Sequence, residues 1–210
     1  MCGRFYVDEG TAKEIERVIR GVDLRIQKMR TGDIYPSQPA GILTCHSRQK
    51  NPLSAGSAAE NSPALELNEM HWGFLQYQKK GLLINARAET ALERRTFRES
   101  VLHRRCVIPA RHFYEWDSDK NKVIFFREDR PVLFMAGFYN RFQDGARFII
   151  LTTEANASVD PVHNRMPLVL DEGELEDWVY DDKFTEYALH KIPPELWREQ
   201  EYEQQSLFLT

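Results

Sequence analysis

Only three cysteines occur in the 210 residues, Cys2, Cys45 and Cys106, and none stands in a C-x-x-C or H-x-x-x-H spacing. So odd and scattered a set excludes a disulfide framework or a zinc site, so no metal or cofactor is expected. Each thiol has to be judged alone. Long hydrophobic runs are missing too, since nothing approaches the roughly 18 apolar residues of a membrane span. The opening Met1-Cys2-Gly3-Arg4-Phe5 also lacks the charged and apolar regions of a signal peptide. The expectation is a soluble intracellular protein of the cytoplasm or nucleoid, without a membrane partner. A basic excess is absent as well, because the formal charge is -4, and this argues against indiscriminate nucleic-acid binding through counterion release. The placement of charge differs from its sum. Acids gather from Asp171 to Glu203, whereas Arg4, Arg87, Arg94, Arg95, Arg98, Arg104, Arg105 and Arg111 all lie early in the chain. A local basic groove on an acidic protein fits this distribution, although a block such as Arg94-Arg95 reads more simply as a solvated helix face.

With 42% hydrophobic residues the chain suffices for one sizeable core, and a single domain over residues 1–210 is expected. Thr11-Ala12-Lys13-Glu14 has the T-x-x-E form of a capping box, and Ile15, Val18, Ile19, Val22 and Ile26 recur near the helical period. Gly41 to Cys45 reads as a strand, and the Ser-, Ala- and Asn-rich stretch Ser47 to Pro63 as a flexible loop. Short β-forming runs at Val123–Phe126, Val132–Met135 and Phe148–Leu151 are separated by turn signals, which predicts an antiparallel sheet or partly closed barrel. Asp171-Glu172-Gly173-Glu174 predicts the start of a helix around Trp178, and another is predicted from Glu186 to Lys191 before Pro193-Pro194. The class is α+β, and there is no internal repeat.

Chemistry starts at Cys2. Initiator methionine is removed when the second side chain is small, which would leave a cysteine with a free α-amine beside its thiol. An α-amine has a reference pKa of about 7.7 to 8.0, so roughly a tenth of it is neutral near pH 7, far more than for a lysine. With an aldehyde it forms a Schiff base, and the adjacent thiol can close a five-membered thiazolidine in an effectively intramolecular step. A cysteine at this position is equally well an accident of the initiator sequence. Three further segments bear on the choice. Asn85-Ala86-Arg87-Ala88-Glu89 follows the apolar run Leu82 to Ile84, placing an amide and a guanidinium where a strand gives way to a loop. In Phe113-Tyr114-Glu115-Trp116 a carboxylate interrupts an aromatic run, where burial would raise its pKa and suit it to moving protons; a solvent-facing Glu115 in an alternating strand is the plainer alternative. His163 and Arg165 stand two residues apart beside Pro167, on one side of an extended chain, although a lone histidine is more often structural.

Together these segments resemble the SOS-response-associated peptidase family, also called abasic-site processing proteins. The matching pieces are Met1-Cys2-Gly3-Arg4-Phe5, Trp72-Gly73-Phe74, Ile84-Asn85-Ala86-Arg87-Ala88-Glu89-Thr90, Arg105-Cys106-Val107-Ile108-Pro109-Ala110 with Phe113-Tyr114-Glu115-Trp116, and His163-Asn164-Arg165-Met166-Pro167-Leu168. Their order and spacing cover residues 1 to about 170. The resemblance implies a monomeric α+β domain with a distorted, mixed or antiparallel β-barrel flanked by helices, and a positively charged groove for single-stranded DNA. It implies a covalent cross-link between Cys2 and the ring-opened abasic sugar. By the same resemblance Asn85 positions the sugar and the Cys2 amine, Glu115 shuttles protons, and His163 helps open the sugar ring. Arg4, Arg87 and Arg165 match phosphate-contacting arginines, which fix position without reading sequence. Trp72 and Trp116 match aromatic platforms for bases, and Thr152 matches a threonine of the pocket. Two departures stand out: His112 where glycine commonly precedes the aromatic run, and Tyr35-Pro36-Ser37-Gln38-Pro39 in place of a Tyr-Asn-x-x-Pro segment. Two other readings stay open. One is an N-terminal-cysteine thiol peptidase or amidohydrolase that removes its own first residue, and the other is a non-enzymatic single-strand binder, which would leave Glu115 and His163 without work.

Overall fold

In the computed structural model, residues 2–18, 29–45, 65–76 and 80–200 are described. The first strand, β1 (Phe5–Val7), buries Phe5 and Val7 and leads into α1 (Glu9–Val18). The cap of α1 differs from the expected one. Asp8 Oδ1 accepts from the Thr11 amide at 2.7 Å, and the Thr11 hydroxyl accepts from the Asp8 amide at 3.3 Å. The reciprocal box therefore stands three residues earlier, with Asp8 as the cap and Thr11 closing it, since a carboxylate at the N-cap satisfies a first-turn amide as a hydroxyl does. The predicted continuation of this helix to Ile26, and the predicted loop from Ser47 to Pro63, lie outside the described residues.

Next come β2 (Gly32–Ile34), β3 (Pro39–Cys45), β4 (Leu65–Trp72), β5 (Phe74–Leu75), β6 (Leu82–Leu83) and β7 (Asn85–Arg87). After α2 (Arg95–His103) follow β8 (Arg105–Ala110), β9 (His112–Trp116), β10 (Lys122–Phe126), β11 (Leu133–Phe142), β12 (Gly145–Glu154), β13 (Arg165–Pro167) and β14 (Val169–Leu170). The chain then forms α3 (Leu175–Tyr180), α4 (Asp182–His190) and β15 (Trp197–Gln200). Asp171 opens the approach to α3, its amide donating to Glu174 at 2.8 Å.

Five strands close a barrel in the order β12-β4-β3-β8-β11, with β11 pairing back onto β12. All of these pairs are antiparallel except β12 with β4. At the closing seam Gly137 of β11 faces Ile150 of β12 and Cys106 of β8, and a Cβ there would meet the Ile149 carbonyl oxygen at 2.4 Å. Only glycine lets the strands approach so closely. A second, antiparallel sheet runs β15-β10-β9-β1-β2. Alternate residues of the barrel wall join different clusters. Leu43, Val107, Ile149 and Leu151 pack with Ile15, Val101 and Trp178 of the helices, whereas Ile42, Ile108, Phe148 and Ile150 pack with Phe5, Phe113 and Phe125 of the second sheet. A wall covered on both faces reads as continuous apolar sequence, which is why Phe148 to Leu151 shows no alternation. The architecture is the α+β barrel with flanking helices that the sequence predicts. Among the described residues no helix is long and apolar enough to cross a membrane.

Candidate active site

The pairing of β1 with β9 brings the start of the chain into the core. Phe5 lies opposite Phe113, and just beyond it the Tyr114 amide donates to the Arg4 carbonyl at 3.0 Å. This register leaves Cys2 with 0% exposure, in the apolar cluster between the barrel and the second sheet. Its thiol donates to the Arg4 carbonyl at 3.7 Å. From the barrel side Asn85 Nδ2 donates to the Cys2 carbonyl at 2.8 Å. Asn85 is placed by β7, which pairs in parallel with β12 and sets Asn85 against Ile150. Its Oδ1 is buried without a hydrogen-bond partner among the described residues.

Glu115 reaches the same place by alternation along β9. Phe113 and Glu115 are buried on the side of Cys2, while His112, Tyr114 and Trp116 belong to the other face of the strand. With 3% exposure, Glu115 is held above the ordinary carboxylate range by its burial, an effect that His163 partly offsets. Burial first, and the Glu115 charge second, push the Cys2 thiol well above the ordinary thiol range. His163 is locked by its neighbour, since the Arg165 amide donates to Nδ1 at 2.9 Å. The Arg165 carbonyl also lies 3.2 Å from the same Nδ1, so the ring is held by the backbone of one residue. The arrangement thus assembles a protonated thiol, a carboxyl whose pKa is raised by burial, an amide on the Cys2 backbone and an imidazole.

The residues matched to DNA contacts divide into two groups. Arg87, two residues along β7 from Asn85, is exposed, and Trp116 is 41% exposed at the end of β9. Both face solvent beside the site. Arg4 is half-buried, with Nε donating to Asp33 Oδ1 at 2.9 Å and its guanidinium over the Tyr114 ring at 4.2 Å from the centroid. The expectation for Trp72 is corrected. It is 0% exposed, wedged between Phe5 and Phe148, and has no face to offer a base. Its Nε1 instead donates to the Ile84 carbonyl at 2.9 Å, which fixes the backbone just before Asn85. A tryptophan on a strand buried from both sides becomes wall, whatever its motif suggests. Thr152 is likewise fully buried, below hydrogen-bond reach of solvent.

Arg165, matched to a phosphate contact, is tied into the frame of this structure. It makes paired bonds to Glu89 at 2.7 and 2.9 Å and a third to the Thr152 carbonyl at 2.6 Å. With this fork occupied, it joins the His163 segment to the turn after β7. Arg165→Ala is expected to lower stability by about 2–3 kcal/mol, between the values for exposed and buried pairs, because Glu89 keeps partial solvent access. Thermal or denaturant unfolding checks it, and Glu89→Gln should cost less because an amide can still accept from Arg165. Glu89 and Asp33 are the site residues that the sequence did not single out. Glu89 stands in the Asn85–Thr90 piece, so a search for acids matching the arginines of other motifs would have found it, whereas Asp33, on the short strand β2, belongs to no motif.

A five-stranded barrel with a side sheet places residue 2 in the core, against an amide on one side and a carboxyl on the other. Residues 1–204 match the family model described as SOS response associated peptidase (SRAP), and the chain belongs to that family. It is similar to the abasic site processing protein YoaM of Bacillus subtilis (strain 168), with 33% identity over 193 residues that cover 85% of this chain and 79% of YoaM. It is also similar to the abasic site processing protein YedK of Escherichia coli (strain K12), with 28% identity over 187 residues and coverages of 85% and 79%. A crystal structure of a protein from Bacteroides thetaiotaomicron superposes with a TM-score of 0.72 at 21% identity, over 95% of this chain and 91% of that one, which is a likeness of fold.

Proposed function

We propose that this protein processes abasic sites in single-stranded DNA by linking itself to them through Cys2, once Met1 has been removed. The observation that carries the reading is the treatment of Cys2: its backbone is gripped by Asn85 while its thiol is kept protonated beside Glu115. A thiol hydrolase needs the reverse. Its nucleophile is a thiolate, stabilised by a cation or a helix N-terminus, and burial next to a carboxyl works against that. Aldehyde chemistry begins instead at the α-amine, and the thiol is needed only afterwards.

His163 stabilises the sugar oxygen as the ring of the abasic deoxyribose opens, exposing the C1′ aldehyde. The Cys2 amine adds to C1′, and Glu115 delivers the proton with which the carbinolamine oxygen leaves as water, giving a Schiff base. Cys2 Sγ then adds to C1′, its proton passing by way of Glu115 to the nitrogen, and the ring closes as a thiazolidine. One water is released overall. Arg87 and the remaining donors of Arg4 contact phosphates, which suits a lesion that has no base to read, and Trp116 stacks on a neighbouring base. The same residues run in reverse would release the DNA.

A test that separates the two thiol chemistries is an uncleavable extension ahead of Cys2, which keeps the thiol but turns its α-amine into an amide. With a single-stranded oligonucleotide carrying one abasic site, this protein is expected to form no denaturation-resistant adduct. A full yield would assign the reaction to the thiol alone.

A further inference from the structure

We infer that Asp33, Tyr114 and His112 are positioning residues that act through Arg4 to hold the mature N-terminus, and so keep the Cys2 amine in place for reaction; the inference rests on the reading of Cys2 above. With Met1 gone, Cys2 ends the chain, and chain ends fray unless something ties them down. A reacting amine displaced by about 1 Å loses much of its advantage. Strand pairing does not reach far enough to prevent this. The ladder of β1 with β2 ends at Phe5 opposite Ile34, and its ladder with β9 ends at Phe5 opposite Phe113. Ahead of Phe5 the backbone is held by Asn85 on the Cys2 carbonyl and by the Tyr114 amide on the Arg4 carbonyl. On the β2 side the Arg4 side chain takes over the attachment.

Continued one step beyond Phe5, the two registers set Arg4 between Tyr35 of the β2 side and Tyr114 of β9, on the face away from Cys2. Its guanidinium carbon lies 5.2 Å from the Tyr35 ring centroid and 4.2 Å from that of Tyr114. Nε and Nη2 donate to the two oxygens of Asp33, a fork that fixes the plane of the group as a single contact could not. His112 buttresses the Tyr114 side of this clamp. Its Nε2 lies 2.9 Å from the Tyr114 hydroxyl, and its ring stacks on Tyr6 with centroids 4.8 Å apart. Burial pushes the His112 pKa down to about 4, so at neutral pH the ring is uncharged and does not compete with Arg4 for Asp33. The clamp reaches Cys2 through one atom: the Arg4 carbonyl oxygen, which accepts the Cys2 thiol at 3.7 Å and the Tyr114 amide at 3.0 Å. Asp33 points to anchoring as the task of this fork. A carboxylate paired with Arg4 weakens its pull on a phosphate, so a residue kept solely to hold DNA would do better without it.

Asp33→Asn is the decisive variant, since it keeps the size of a partly exposed side chain and removes only the charge that grips Arg4. Three quantities are compared with the parent: the single-turnover rate of cross-linking at saturating abasic single strand, the affinity for the same strand carrying an unreactive tetrahydrofuran lesion, and hydrogen exchange at the Tyr114 amide. Exchange is expected to quicken about tenfold or more, the worth of a hydrogen bond to a charged group. The rate at saturation should fall by about tenfold or more, through misplacement of the amine. Affinity should stay equal or rise, because Arg4 is no longer neutralised. Tyr114→Phe, which keeps the ring under Arg4 but frees His112, should lower the saturated rate in the same direction by less. A parent-like rate and exchange in Asp33→Asn would overturn the inference, as would a rate loss that saturating DNA restores, which would make the clamp a device for binding alone. If the parent itself forms no cross-link, the chemistry assigned to Cys2 fails, and exchange at Tyr114 still decides whether Asp33 anchors the N-terminus.

Discussion

Cys2→Ser protein, incubated with a single-stranded oligonucleotide containing a true abasic site, is expected to give no adduct that survives denaturation. The serine protein keeps the α-amine and so still forms the Schiff base, but its hydroxyl closes the corresponding ring far less favourably than a thiol does. The intermediate then hydrolyses. Adding a borohydride reductant during the incubation should restore a permanent link, because reduction traps the imine without any help from residue 2's side chain. A denaturing gel run with and without reductant measures both halves of the expectation. Serine protein that cross-links durably without reductant would remove the thiazolidine from the mechanism. Structural damage is not a ready excuse for a loss, since serine is smaller than cysteine and the thiol's hydrogen-bond partner among the described residues is the Arg4 carbonyl, to which a hydroxyl can also donate.

Glu115→Gln should slow both formation and reversal of the adduct by about a hundredfold or more, the usual size of a general acid–base contribution. Both directions pass through the same imine, and both need a proton at the departing oxygen or nitrogen. Affinity for undamaged single strand should stay within a few-fold of the parent, since the buried carboxyl faces Cys2 and not the exposed Arg87 and Trp116. The substitution has a second signature, in stability. Burial raises the Glu115 pKa in the folded state above its unfolded value, so the native protein binds this proton more tightly. Stability then falls as pH rises from the ordinary glutamate range toward the raised value, and glutamine is spared that loss. Glu115→Gln should therefore be more stable than the parent at neutral pH and lose the advantage below the ordinary glutamate pKa of about 4.3. Unchanged rates together with an unchanged pH profile would make Glu115 a strand residue of no chemical account.

The parts of this site that are legible in the sequence are those carried by one short segment each. Alternation along Phe113-Tyr114-Glu115-Trp116 allows Glu115 either face, and the apolar context tips it inward. The barrel is legible for a similar reason, because runs such as Phe148 to Leu151 are strands with two covered faces. What local reading missed depends on partners far along the chain. Arg165 meets Glu89 across 76 positions and Arg4 meets Asp33 across 29, so two arginines that look free in sequence are tied in the fold. Trp72 failed differently: its burial is set by Phe5 and Phe148, which arrive from the first strand and from β12. The start of α1 was misplaced because Asp8 and Thr11 compete for the same capping role and both fit the pattern.

The central claim is that Cys2 becomes covalently joined to abasic DNA by its own aminothiol. Intact mass spectrometry under denaturing conditions, after incubation of the Met1-processed protein with an oligonucleotide carrying a single abasic site, tests it most directly. The account predicts a new species at the protein mass plus the oligonucleotide mass minus one water, with fragmentation placing the link on Cys2. An unmodified protein mass beside intact abasic oligonucleotide, or a link mapped to any other residue, would contradict it.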